Sequence, residues 1–306
     1  MSQYENKTWS AKDAVESALQ KTTDRFDTKS SVTGIQTHFY DLDCITAGLQ
    51  ESQLTVIAGR PSMGVTSFAL NLGTRAAIKS DTPVLIFSPG ETVENILTRM
   101  ISFQCKIVNT NLKTGNLEDL EWLRISEGAD LLADAPIQIH DEPSITGAKI
   151  VEVTHEHVKT YGAGLILIDY LQLLQPTNPR PPRDQEIADM TRMFKVLARE
   201  TKTHVILLSQ LNRKVEERTD KRPMLPDLRD SGAIEDDADN IIFLYRDSAY
   251  NKSEDNPLKN HAEIIIAKQH CGPTGRCELF FIKEYGLFEN MGATTSLSEL
   301  LDGITE

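Results

Sequence analysis

The sequence predicts an α/β fold with a mostly parallel central sheet flanked by helices, and three observations carry that prediction. Largely apolar runs at residues 54–58, 83–88, 164–169 and 204–210 have the length and hydrophobicity of strands covered on both faces. Stretches of helical periodicity alternate with them, as crossover connections between parallel strands require. Between the first run and the helical pattern at 68–78, residues 59–67 have the spacing of a phosphate loop.

In the pattern G-x-x-x-x-G-K-[ST], glycines let successive backbone N–H groups face phosphate oxygens, and the following helix adds the positive end of its dipole. The lysine brings a full charge to the β- and γ-phosphates, and the next hydroxyl helps to hold Mg²⁺. This chain supplies Gly59, Arg60, Pro61, Ser62, Met63, Gly64, Val65, Thr66 and Ser67. The cradle is complete, but Val65 stands at the lysine. A Gly/Pro/Ser turn between strand and helix is common in α/β proteins, so the loop alone does not decide the function.

Ahead of the loop, Ser10 caps a helix whose Ala11, Ala14, Val15, Ala18, Leu19, Thr22 and Phe26 recur on one face. The polar run 27–34 joins it to the first strand. That apolar stripe needs a surface to cover it, either its own core or another subunit. After the loop helix come a strand at 83–88 and a helix over 92–103, then a helix at 117–132, a strand at 137–140 and a helix at 146–159. His155, Glu156 and His157 lie on that last helix. Side chains two apart on a helix diverge, so no metal site is expected there.

The run 164–169 ends in Asp169, placing a carboxylate at the carboxyl edge of the sheet beside the loop, where an aspartate organises Mg²⁺. A proline-rich exposed loop at 175–183 precedes a helix at 185–200 and a strand at 204–210 ending in Ser209 and Gln210, whose amide could sense a terminal phosphate. Residues 212–230 gather Arg213, Lys214, Arg218, Lys221, Arg222 and Arg229, a charge density that suits either a mobile loop on a phosphate backbone or a solvated face. Strands at 240–245, 262–269 and 276–282 close the sheet. The segment 294–306 is a polar tail.

Composition sets the bounds. A chain of 306 residues with 40% hydrophobic and 25% charged residues buries a full core for one α/β domain with appendages. No apolar run approaches a membrane span, and the start lacks the form of a signal peptide, which predicts a cytoplasmic protein with no membrane partner. Cys44, Cys105, Cys271 and Cys277 form no CxxC pair, so free thiols are expected. A net charge of −13 argues against indiscriminate adhesion to nucleic acid and leaves room for a local basic site.

The segments GRPSMGVTSFALNL, LILIDYLQLL, VILLSQLNRKVEERTDKRPMLPDLRDSGAIEDDADNIIFLYRD and AEIIIAKQHCGPTG resemble the motor domain of DnaB-type replicative helicases, a RecA-like fold. The likeness runs over residues 10–290. It implies a ring in which ATP and Mg²⁺ sit between subunits and single-stranded DNA threads the pore. It implies a division into a linker-helix segment (1–33), a RecA-like domain (34–292) and a tail (293–306). The 10–26 helix resembles the linker helix that docks on the adjacent subunit, giving self-association into a ring or filament. Only residues 1–9 precede it, so no counterpart of the family's N-terminal helical domain is expected in this chain.

By position, residues 59–67 match the nucleotide loop, Thr66 and Asp169 the Mg²⁺ site, and Gln210 the polar residue of the third motif. Arg229, Asp230 and Gly232 match the DNA-facing loop. Lys268 matches the lysine that reaches a neighbour's nucleotide. Three positions depart from the pattern. Val65 replaces the loop lysine, Gly90 stands where the water-activating glutamate belongs, and His270 stands at the arginine finger.

Loss of an arginine finger alone costs about 10³–10⁵ in rate, or about 4–7 kcal/mol of barrier. An imidazole cannot present the five-donor planar fork of a guanidinium. The expectation is therefore a DnaB-family protein of DNA replication deficient in ATP hydrolysis, a regulatory or single-strand-binding ring component that could partner an active helicase. The alternative is an active helicase with non-standard catalytic residues, in which Glu91, one residue past the empty position, activates the water.

Overall fold

The structure, a computed structural model, describes residues 8–28, 31–175, 182–228 and 231–292. Helix α1 (Ala11–Thr28) stands first, and α2 (Tyr40–Thr46) leads to the central strand β1 (Leu54–Gly59). Crossover units follow: α3 (Val65–Ser80) and β2 (Val84–Phe87), then α4 (Val93–Cys105), α5 (Asn109–Thr114), α6 (Asp119–Asp134) and β3 (Ile137–His140). After them come α7 (Gly147–Tyr161) with β4 (Leu165–Ile168), α8 (Arg183–Thr201) with β5 (His204–Gln210), and α9 (Ser231–Asp237) with β6 (Asn240–Tyr245). The chain ends in the meander β7 (His261–Gln269), β8 (Gly275–Ile282) and β9 (Leu287–Asn290).

These strands form one sheet in the order β3-β2-β4-β5-β1-β6-β7-β8-β9, parallel from β3 to β6 and antiparallel beyond. Every residue of β1 is buried, as a central strand covered on both faces demands. Leu54, Val56 and Ala58 point into one core with Ile187, Phe194 and Leu197 of α8. Ile57 points into the other, with Phe68 and Leu72 of α3, Phe39 and Phe288. Phe68 stacks on Phe39 at 5.4 Å and meets Phe288 edge-on at 5.3 Å, tying α3 to both the segment before β1 and the last strand. The layers put the carboxyl ends of β1, β4 and β5 side by side, where ligands of open parallel sheets bind.

Local chemistry sets the helix starts. Thr92 and Thr146 accept the Asn95 and Lys149 amide protons at the entries to α4 and α7, and Ser10 accepts that of Asp13 before α1. Helix α1 keeps its apolar stripe in solvent: Val15, Leu19 and Phe26 are 57%, 62% and 76% exposed.

The basic run differs from a mobile loop. It folds into two 3₁₀ turns, Arg213–Glu217 and Leu225–Asp227. Arg218 forks onto Asp227 at 2.8 Å through both nitrogens, and Arg222 forks onto Glu263 while lying over the Tyr245 ring. Much of its positive charge is thus neutralised within the chain. His155 pairs with Glu200 at 3.5 Å while His157 is buried against Tyr161, and no metal-binding cluster occurs among the described residues. All four cysteines are free. The proline-rich loop lies mostly, and the tail beyond residue 293 wholly, outside the described residues, and no described helix is long and apolar enough to cross a membrane.

Candidate functional site

The site is built where β1 ends. Gly64 takes φ +95° as the N-cap of α3, a conformation that side chains resist, and its Cα faces the rings of Phe281 and Phe288. Ser62 also has positive φ, and the Met63 amide closes a turn on the Arg60 carbonyl at 3.2 Å. Buried Met63 anchors this loop from below. The first turn of α3 therefore presents its free N–H groups to the pocket. Val65 is the first residue of that turn. Its Cγ2 lies 2.7 Å from where a Cβ on Gly59 would stand, so Val65 closes over the loop's start and would have to shift for any side chain there.

A pocket of about 290 Å³ collects Gly59 to Ser67 (Met63 excepted), Asp169 from the end of β4, and Leu208, Ser209 and Gln210 from the end of β5, with Arg99 and Tyr170. Sequence spacing named the loop, Asp169 and Gln210, and the sheet brings them together. Gln172 clamps the end of β5: its Nε2 donates to Ser209 Oγ at 2.9 Å and its Oε1 accepts the Gln210 amide proton at 3.3 Å. Arg60 is drawn away from the pocket centre, its Nε on Glu216 at 2.9 Å and its Nη1 on the Leu211 carbonyl at 3.0 Å.

Burial, helped by the negative charge of Glu91, pushes the Asp169 carboxyl up to about 6 against the opposing Thr66 hydrogen bond and Arg99 charge. At pH 7 the group is largely ionised. Thr66 and Asp169 are thus paired hard-oxygen donors of the kind Mg²⁺ takes, and they fit such an ion together with a bound nucleotide.

Two features escaped sequence reasoning, one in the pocket and one behind the loop. Arg99, two turns along α4, holds Glu91 in a two-pronged ion pair, Nε to Oε2 at 3.0 Å and Nη2 to Oε1 at 2.8 Å. No motif marks a pair eight residues apart across a helix start. Arg246, just past β6, is 7% exposed with its guanidinium 4.0 Å over Phe281, the ring beside Gly64, and burial lowers it to about 10. An arginine ending an apolar strand was the available signal.

Other expected site residues lie outside this pocket. Gly90 is exposed, and a side chain there would first meet Leu173 Cδ1. Lys268 turns its ammonium onto the carbonyls of Glu235 and Ala238 at the end of α9, at 2.5 and 2.7 Å. His270 is exposed beyond β7, its amide bonded to the Asp239 carbonyl at 2.9 Å. Gly232 is exposed in the first turn of α9, and Arg229 and Asp230 lie outside the described residues.

The sequence model for the DnaB-like helicase C terminal domain matches residues 34–290. The chain belongs to that family. It is 45% identical over 264 residues to the replicative DNA helicase DnaC of Bacillus subtilis (strain 168), covering 86% of this chain and 58% of that protein. To the replicative DNA helicase DnaB of Geobacillus stearothermophilus it is 45% identical over 261 residues, covering 85% and 57%. The chain thus spans less than two thirds of the length of these relatives. Among solved structures, one described as an ATPase domain superposes with a TM-score of 0.86 at 36% identity, covering 91% of this chain and 99% of that one. A DnaB-like replicative helicase, described with its interactions with primase, gives 0.84 at 34% identity, covering 94% and 68%. The RecA-like α/β fold of DnaB-type ATPase domains is the fold of this chain.

Proposed function

We propose that this DnaB-family domain is deficient in ATP hydrolysis and serves replication as a non-catalytic ring component, holding nucleotide and single-stranded DNA or regulating an active helicase. The observation that carries the proposal is Val65: the first turn of α3 offers backbone N–H groups to phosphates but an isopropyl group where the family pattern has an ammonium. Gly90 and His270 add two further absences at charge-bearing and proton-accepting positions. Glu91 is the nearest carboxylate to the empty glutamate position, and both of its oxygens are engaged by Arg99, which argues against its use as a base. The fold, the loop backbone and the Thr66–Asp169 pair remain, which supports retained binding of ATP with Mg²⁺.

Self-association through α1 is part of the proposal, since its apolar stripe is uncovered within the chain. Contact with DNA is assigned to Arg229, Asp230 and Gly232. Steady-state phosphate release, with and without single-stranded DNA, tests the proposal. Background release is expected in both conditions. DNA-stimulated release that disappears in Asp169→Asn would instead establish an active helicase motor using other residues.

A further inference from the structure

We infer that Glu91 makes the phosphate pocket selective for nucleoside diphosphates over triphosphates, by occupying Arg99 as an internal stand-in for the terminal phosphate. The inference rests on the reading of the pocket as a nucleotide site without the loop lysine.

Two arginines line the pocket. Arg60 is committed to Glu216 and the Leu211 carbonyl, which leaves Arg99 as the cation that a phosphate could recruit. Its fork is filled by the Glu91 carboxylate at 3.0 and 2.8 Å, the arrangement by which a guanidinium takes carboxylate or phosphate interchangeably. The Arg99 charge also acts on Asp169, the carboxylate that with Thr66 would hold Mg²⁺. The Glu91 charge acts on Asp169, so a third phosphoryl group on this side would face both carboxylates, with no lysine and with the Arg99 guanidinium already engaged. A diphosphate ends within the N–H cradle of the loop and meets neither repulsion. The Glu91 and Arg99 side chains are 27% and 37% exposed, so exchanging one for a neutral amide leaves the core untouched.

Calorimetric titration of the native chain with Mg-ADP and with a non-hydrolysable Mg-ATP analogue tests this. Native protein is expected to bind the diphosphate about tenfold or more tightly than the analogue, a difference of one close charge contact. Glu91→Gln should bring the two affinities together by strengthening the analogue, and Glu91→Gln with Arg99→Gln should lose that gain. Equal affinities in the native chain, an unchanged ratio in Glu91→Gln, or no nucleotide binding to either protein would overturn the inference. Hydrolysis by the native chain would count against the deficiency, and does not enter this comparison because the analogue cannot turn over.

Discussion

Asp169 carries its charge at neutral pH against the fold's preference. Its carboxyl holds a proton up to about pH 6 in the folded chain, against 3.8 for an unperturbed carboxyl. As pH rises through that window the unfolded chain releases its proton first, so stability falls from about pH 4 to about pH 6 and stays lowered above. Asp169→Asn removes the effect and is expected to stabilise the protein at pH 7 by about 1–3 kcal/mol, with the gain gone below about pH 4. His204 acts in the opposite sense. Fully buried between the Gln50 carbonyl and the Thr55 hydroxyl, it is driven by burial down to about 4. Its contribution is therefore complete above about pH 6.5 and is lost as pH falls toward 4. The two slopes oppose each other in the native protein, so the asparagine variant should show a steeper acid destabilisation. Denaturant unfolding of both proteins at pH 7, 5.5 and 4 checks this, and a pH-independent difference would count against it.

At the scale of elements, α1 is separable from the core, since the apolar side chains Val15, Leu19 and Phe26 stand in solvent. Leu19→Glu with Phe26→Glu is expected to leave the thermal midpoint of the domain in place while lowering the mass measured by light scattering. A mass unchanged by the pair would remove α1 from the assembly. Helix α3 is the opposite case. Phe68→Ala empties a site between Phe39 and Phe288 and should cost about 3–5 kcal/mol in denaturant unfolding. Several elements were legible in the sequence: β3 falls at Ile137–His140, where alternation between two helical patterns marks it, β5 at His204–Gln210, the span its apolar run marks, and α1 starts one residue past the Ser10 cap. The seven-residue α2, the six-residue α5 and the seven-residue α9 were not, because each is too short to complete a periodic pattern. Strand β9 was missed because its four residues gain their burial only by pairing with β8.

Across the whole molecule, the pocket was legible wherever a motif fixes a residue on a strand end or the loop, as for Gly59, Thr66, Asp169 and Gln210. It was illegible where position depends on packing: Arg99 reaches the site from α4, and Arg246 reaches Phe281 across strands far apart in sequence. Lys268, which matches a motif, hydrogen-bonds the Glu235 and Ala238 carbonyls at the end of α9 in its own chain, a contact that spacing does not reveal. In the proposed function, fold and cradle survive without the chemistry, and the missing chemistry resides in three side chains. The most direct test is steady-state ATP hydrolysis with single-stranded DNA by the native chain beside a variant carrying Val65→Lys, Gly90→Glu and His270→Arg. Background release is expected from the native chain, and a gain in the variant of at least about 10³, the low end of what a restored arginine finger supplies. Motor-like turnover by the native chain would contradict the proposed function.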